Sequence, residues 1–287
     1  MSNLDINREV IDAMQKDTLS CNIILKQLFI EHRLPVIEIL IYLLTLDVWD
    51  LSISAAYSLN MLNKYCDSSI KYIVLDKYNI SDFTDKIKIG CALSLMHEKE
   101  ILQIMLFGLK HSDAMIRRKA IFSIGYIGDN SSIIYLLNLL SDLDNNIRMQ
   151  VVISLGNIRT HEVVSPLVKV LMNNDNRDIR AAACRSLGIT QDPDAFEPLL
   201  NALEDDDPII RSSVIEGMDL LRDHRAIEPL IIALRDIDPS VRSRAAEALG
   251  WQRDERAIEP LIYISYHDNN ENVRNSAREA LIELHAI

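Results

Sequence analysis

The sequence predicts an all-α fold, a right-handed α-solenoid of helical hairpins, on three observations. Arginine recurs at Arg117, Arg148, Arg180, Arg211, Arg242 and Arg274, at spacings of 31, 32, 31, 31 and 32 residues. The octapeptide HRAIEPLI from His224 returns as ERAIEPLI from Glu255, 31 residues later. Only 8 Gly and 8 Pro occur in 287 residues, too few for a turn-rich sheet protein, and half of each keep the same period. Self-similarity at a period between about 20 and 50 residues marks an array of one supersecondary unit, because one unit alone cannot bury its apolar face.

The elements follow in chain order. Residues 1–110 carry the period faintly and are expected to be divergent repeats of the same array. The run PVIEILIYLLTLDVW from Pro35 to Trp49 is interrupted by Glu38 and Asp47. It is shorter than the roughly 20 apolar residues that span a bilayer, so a buried core helix is expected there. SISAAYSLN (Ser52 to Asn60) and IKIGCALSL (Ile87 to Leu95) read as worn copies of the first helix of a pair, without the arginine. From 111 to 287 the repeats are regular, and the whole is expected to be one continuous solenoid. In DPSVRSRAAEALG, Asp238 suits an N-cap and Pro239 the first helical position, where a missing N–H costs nothing. Val241, Ala245, Ala246 and Leu249 fall at helical spacing, and Gly250 reads as the stop, as do Gly125, Gly156 and Gly188 in their cycles. One cycle places Asp219 where that glycine belongs, so its helix is expected to run a turn longer. The second helix carries Ile227, Leu230, Ile231 and Leu234, an i, i+3, i+4, i+7 stripe. The last stretch, NVRNSAREALIELHAI, is polar on one side and is expected to cap the array.

Composition narrows the function classes. The net charge is −12, and residues 201–287 hold 18 Asp and Glu against 10 Arg and no Lys. Such a field repels phosphate backbones, so no nucleic-acid partner is expected. The four cysteines, Cys21, Cys66, Cys91 and Cys184, form no CxxC pair, which argues against a zinc knuckle and for a reducing, cytoplasmic setting. The N-terminus lacks the basic-then-apolar order of a signal peptide. No membrane insertion is expected, and no P-loop, GxSxG or GxGxxG motif is present.

The pattern D-P-x-[VI]-R-x-x-A-x-x-[AS]-L-G followed by A-[IV]-x-P-L resembles HEAT repeats, specifically the short subclass of phycobilisome lyase-like proteins. It is clear from about Asp113 to the C-terminus, over six first helices. The resemblance implies that the helix beginning V-R-x-x-A lines a concave face, with the residues one, two and five positions after each arginine pointing into the groove. Deoxyhypusine hydroxylases resemble the chain in repeat type, and place His-Glu pairs directly after the repeat arginine to hold two irons. Here those places hold Arg118-Lys119, Met149-Gln150, Ala181-Ala182, Ser212-Ser213, Ser243-Arg244 and Asn275-Ser276, none of which offers an imidazole or carboxylate. No metal and no cofactor is therefore expected. The two His-Glu dipeptides, His97-Glu98 and His161-Glu162, precede second helices and read as helix-start acids. Bilin lyases also use such repeats. A chromophore-handling protein gripping propionates with Arg244, Arg253 and Arg256 beside Trp251 is the alternative to a binding scaffold, followed by a hydroxylase-related enzyme that lacks the iron-binding His-Glu pairs.

Two sets of residues carry the functional expectation. The periodic arginines Arg117, Arg148, Arg180, Arg211, Arg242 and Arg274 follow Asp113, Asp144, Asp207 and Asp238 (or Asn) by four residues, and are expected to form a structural ladder of bidentate pairs. The groove candidates for contact are Arg118, Lys119, Gln150, Arg185, Glu216, Arg244, Glu247, Trp251 and Glu279, basic at one end and acidic at the other. The expectation is a non-enzymatic scaffold with a protein or peptide partner and no catalytic residue.

Overall fold

In the computed structural model, which describes residues 3–14, 16, 18–173 and 176–286, the chain is an α-solenoid of 18 α-helices and six short 3-10 turns, with no strand among the described residues. It divides into two compact units, Met1–Tyr135 and Leu136–Ile287.

In the second unit the first helices are Asn145–Ile158, Arg177–Thr190, Pro208–Leu221, Pro239–Gln252 and Glu271–Glu283. Each starts on an N-cap whose side chain accepts the N–H two residues on: Asp144, Asn176, Asp207, Asp238 and Asn270. The cap satisfies one of the four orphan donors at a helix start and is worth about 1 kcal/mol. Each first helix packs on the next. The second helices, Val164–Asn173, Phe196–Ala202, Ile227–Ala233 and Ile258–His267, each pack on the first helix that follows them. They enter through a 3-10 turn, and Pro166, Pro198, Pro229 and Pro260 all stand third in the α-helix that follows, where the backbone N–H would lack an α-helical partner.

The periodic glycines do not stop these helices. Gly125, Gly156, Gly188 and Gly250 lie inside them, and the left-handed cap comes three residues later, at Gly128, Arg159, Gln191 and Arg253. The reason for glycine is a close crossing. A Cβ on Gly156 would fall 2.7 Å from the Ser186 Cβ, and one on Gly250 would fall 2.8 Å from the Ala280 Cα. A Cβ on Gly188 would overlap the Gly217 carbonyl. Gly217 thus takes over the crossing in the cycle where Asp219 stands. That helix ends at Leu221 with a cap at Arg222, and at 14 residues it is no longer than its neighbours.

In the first unit the helices Trp49–Tyr65, Phe83–Leu95 and Ala114–Ile127 pack in series. Ile70–Ile80 and Leu102–Gly108 pack on the latter two. The apolar run predicted as a core helix is Arg33–Thr45, with Val36, Ile37, Ile39, Leu40, Ile41, Leu43 and Leu44 all buried. It packs against Trp49–Tyr65 and Phe83–Leu95. No helix among the described residues is long and apolar enough to cross a membrane.

Candidate functional site

The arginine series is the frame on which the site is built. Arg242 donates Nε to Asp268 Oδ2 at 2.7 Å and Nη2 to Asp268 Oδ1 at 2.9 Å, a fork across to the next repeat. Its Nη1 donates to the Asp236 carbonyl of its own repeat at 2.8 Å. Arg211 does the same with Asp236, at 2.8 Å for both carboxylate bonds, and with the Asp205 carbonyl at 2.8 Å. Arg180 reaches Asp205, and Arg274 donates to the Asp268 carbonyl at 2.8 Å. Arg117 holds the carbonyls of His111 and Ser112 at 3.0 and 2.9 Å, and Arg148 holds that of Asp142. The carboxylate rungs are therefore Asp205, Asp236 and Asp268, two residues before the helix cap. The aspartates expected in that role, Asp113, Asp144, Asp207 and Asp238, are spent as N-caps. Geometry decides this: a cap carboxylate folds back on its own helix start, whereas the residue two earlier faces the preceding repeat. The recurring Asp142, Asp205, Asp236 and Asp268 were the unread signal, each accepting the N–H of the cap residue as well. Hydrogen bonds from Arg242 hold the Asp268 carboxyl below the usual carboxylate range, against the opposing effect of burial.

Beside this ladder runs the face that the groove candidates were expected to line. The position two after the arginine does not reach it, except at Arg244. Lys119, Gln150, Ala182, Ser213 and Ser276 are buried. Lys119 and Gln150 are corrected accordingly, since a helix turn of about 100° per residue puts that position under the neighbouring helix. Gln150 approaches Ser154 Oγ at 3.4 Å, and Lys119 is wholly buried. Arg244 alone at this position stays half-exposed, paired with Glu247 at 2.9 Å. The accessible strip instead runs one, five and nine residues after the arginine, an i, i+4, i+8 line, except that Ala181 at the first of these places is buried.

In the first unit this strip is covered by the chain itself. The Arg118 guanidinium lies 3.8 Å from the centre of the Trp49 ring. Phe122 meets Trp49 and Tyr57 edge-on at 6.0 and 6.3 Å, and Tyr57 meets Tyr126 at 6.2 Å. Lys119 donates to the carbonyls of Leu44 and Leu46, both at 3.0 Å. Arg118 is thus a half-buried packing residue, and its place in the contact set is corrected too. No local pattern around Arg118 signals this, because the covering segment lies about 70 residues away.

In the second unit the strip is accessible. It carries Ile153 and Asn157, then Arg185 and Ile189, Glu216 and Leu220, Glu247 and Trp251, and Glu279 and Glu283. Arg185 pairs with Glu216 at 3.5 Å. Trp251 is 57% exposed, at the edge of a hollow of about 340 Å³ lined by Glu247, Gly250, Ser276, Glu279, Ile282 and Glu283. Of the arginines proposed to join Trp251, Arg256 is bound to Asp254 at 2.7 Å and approaches Glu228 at 3.4 Å, and Arg253 approaches Glu283 at 3.3 Å. Hydrogen bonds from Arg256 pull Asp254 down to about 2.

The His-Glu dipeptides stay apart from this strip. His97 ends the helix Phe83–Leu95 at a positive φ, and His161 opens a 3-10 turn with its Nδ1 3.0 Å from Asp192 Oδ2. His161, Asp192 and Asp194 bring ligand-type atoms within 4.8 Å of one another. His161 and Asp194 are exposed and Asp192 is an N-cap, so the trio is accounted for by the turns that hold it. Cys91 and Cys184 are buried, and burial pushes the Cys184 thiol up to about 12, the setting of an apolar filler rather than a nucleophile.

The family profile described as HEAT repeats matches residues 102–188, 164–237 and 196–282. None of the curated proteins matches the chain in sequence. Among solved structures, importin beta is similar with a TM-score of 0.50 at 12% identity, over 96% of this chain and 44% of that one. Human deoxyhypusine hydroxylase is similar with a TM-score of 0.40 at 18% identity, over 88% of this chain and 96% of that one. The CpcE–CpcF phycocyanin lyase complex of Nostoc sp. PCC7120 gives 0.47 at 18%, over 76% and 88%. At these identities the likeness speaks of the fold alone.

Proposed function

Because the chain belongs to the HEAT-repeat family, we propose that it is a non-enzymatic scaffold that grips a protein or peptide on the first-helix face of its second unit, the concave side of such an array. One observation carries this reading. Arg211 and Arg242 are consumed by inter-repeat forks and the other periodic arginines by Asp205 or by loop carbonyls, while the strip beside them leaves Ile189, Leu220, Glu216 and Glu247 partly exposed and Trp251 57% exposed. An accessible line of apolar and acidic side chains on a rigid frame suits recognition of a surface or an extended segment. The residues following the arginines supply no imidazole or carboxylate, so the iron chemistry of the hydroxylase branch has no ligand set at those places. Four cysteines that form no CxxC pair, two of them buried, support a reducing compartment.

A photo-crosslinking amino acid at Ile189 or Leu220, compared with one at Tyr263 on a second helix, tests the proposal in native lysate. Capture of a common protein at the first two positions and not the third is expected. Capture at all three positions alike, or at Tyr263 alone, would contradict it. An absorbance shift with a bilin, abolished by Trp251→Ala, would move the assignment to chromophore handling.

A further inference from the structure

We propose that the hollow between the helices Pro239–Gln252 and Glu271–Glu283 is a docking site for one arginine or lysine side chain of an extended partner segment. This rests on the scaffold reading and names the chemistry of what it binds. Three carboxylates, Glu247, Glu279 and Glu283, line the hollow together with Trp251 and the 57% exposed Ile282, and no cation lines it among the described residues. Glu247 is partly engaged by Arg244, whose side chain borders the neighbouring hollow, and Glu283 by Arg253 at the surface. Glu279 is exposed and has no ion-pair partner among the described residues.

A cation over an indole face flanked by carboxylates gains both ring-quadrupole and charge attraction. The chain builds the same pairing within its first unit, where Arg118 from the corresponding face stacks on Trp49 at 3.8 Å. At Trp251 no such partner is supplied among the described residues, so the equivalent stack is open to an incoming side chain. Leu220 and Ile189 hold the position of Trp251 in the two preceding repeats. Helices pack about 8–10 Å apart, and three residues of extended chain span about 10 Å. A segment in the polyproline II conformation, with three residues per turn and about 3.1 Å of rise per residue, keeps side chains three apart on one face, so one crossing the helices would meet Trp251, Leu220 and Ile189 at every third residue. The occupant is a segment with a basic residue followed, or preceded, by apolar residues three and six positions away.

The test uses the full chain and fluorescein-labelled nonapeptides with one Arg, Gln or Glu and leucines three and six positions to one side, in both orientations, read by anisotropy. The Arg peptide in one orientation is expected to bind about tenfold or more tighter than the Gln peptide. Trp251→Ala and Glu279→Lys should each remove about that factor, and Glu279→Lys should bring the Glu peptide up towards the Arg one. Both positions are exposed, so unchanged thermal unfolding confirms that the variants are folded. Equal binding of the Arg and Gln peptides, or indifference to Glu279→Lys, overturns the site. Displacement by free arginine at the peptide's own concentration also overturns it, assigning the hollow to a small cation. If crosslinks at Ile189 and Leu220 persist in these variants, the scaffold reading survives and this site does not.

Discussion

Two lysines 31 residues apart, Lys88 and Lys119, occupy the same repeat position and send their ammonium groups to neighbouring carbonyls at the end of one helix. Lys88 donates to the Thr45 carbonyl at 2.9 Å and pairs with Asp47 at 2.8 Å, while Lys119 holds Leu44 and Leu46. Cations at a helix C-terminus meet both its orphan carbonyls and its dipole. Lys119→Ala leaves two carbonyls and a void, and is expected to cost about 3 kcal/mol. Lys119→Met keeps the volume and sheds the buried charge, and is expected to cost less than about half of that. Burial lowers the Lys119 pKa, so above the folded value the unfolded chain binds more protons than the folded one. The stability of the native chain relative to Lys119→Met therefore rises with pH from the folded value up to the ordinary lysine value. Denaturant titrations of the two proteins across that range measure it. Asp268 works in the opposite sense. Its pKa is depressed by Arg242, so its contribution is full above the ordinary aspartate value and fades as pH falls through the folded one. Asp268→Asn should lose about 2–3 kcal/mol at neutral pH and show a shallower acid limb in denaturant titrations.

At the scale of the helices, the glycines and the caps exchange the roles their spacing suggested. Gly188→Ala drives a methyl into the Gly217 carbonyl and is expected to cost about 3 kcal/mol or more, read as a fall in Tm. Arg222→Gly, at φ +55, relieves a left-handed residue of its Cβ and is expected to gain about 0.5–1 kcal/mol. The hairpins, the Asp238 cap and the period of the prolines were legible in the sequence, because each depends on residues within one period. Crossing glycines were misread as stops because a helix-end glycine and a contact glycine look alike until the neighbouring helix is placed. The rung aspartates were legible as a period of their own, and only the next repeat showed what they face. Lys119 and Gln150 were misassigned because position two after the arginine lies at the boundary between the exposed strip and the packed one.

Across the molecule the same division recurs between residues that hold repeats together and residues that face outward. The strip of the first unit is closed by the segment from Leu44 to Tyr57, whose origin about 70 residues away left no local trace in the sequence of Ala114–Ile127. That of the second unit is accessible, with Trp251 at 57% exposure. The arginine ladder builds the frame, and the strip one, five and nine residues further on is proposed to make the contact. The most direct test is the binding of one crosslink-identified partner, measured at matched folded fraction, to two variants. Arg242→Lys should lower Tm and leave that affinity unchanged, whereas Glu279→Lys should leave Tm unchanged and weaken binding about tenfold or more. The reverse pattern, with affinity following the ladder and indifferent to the strip, would contradict the account.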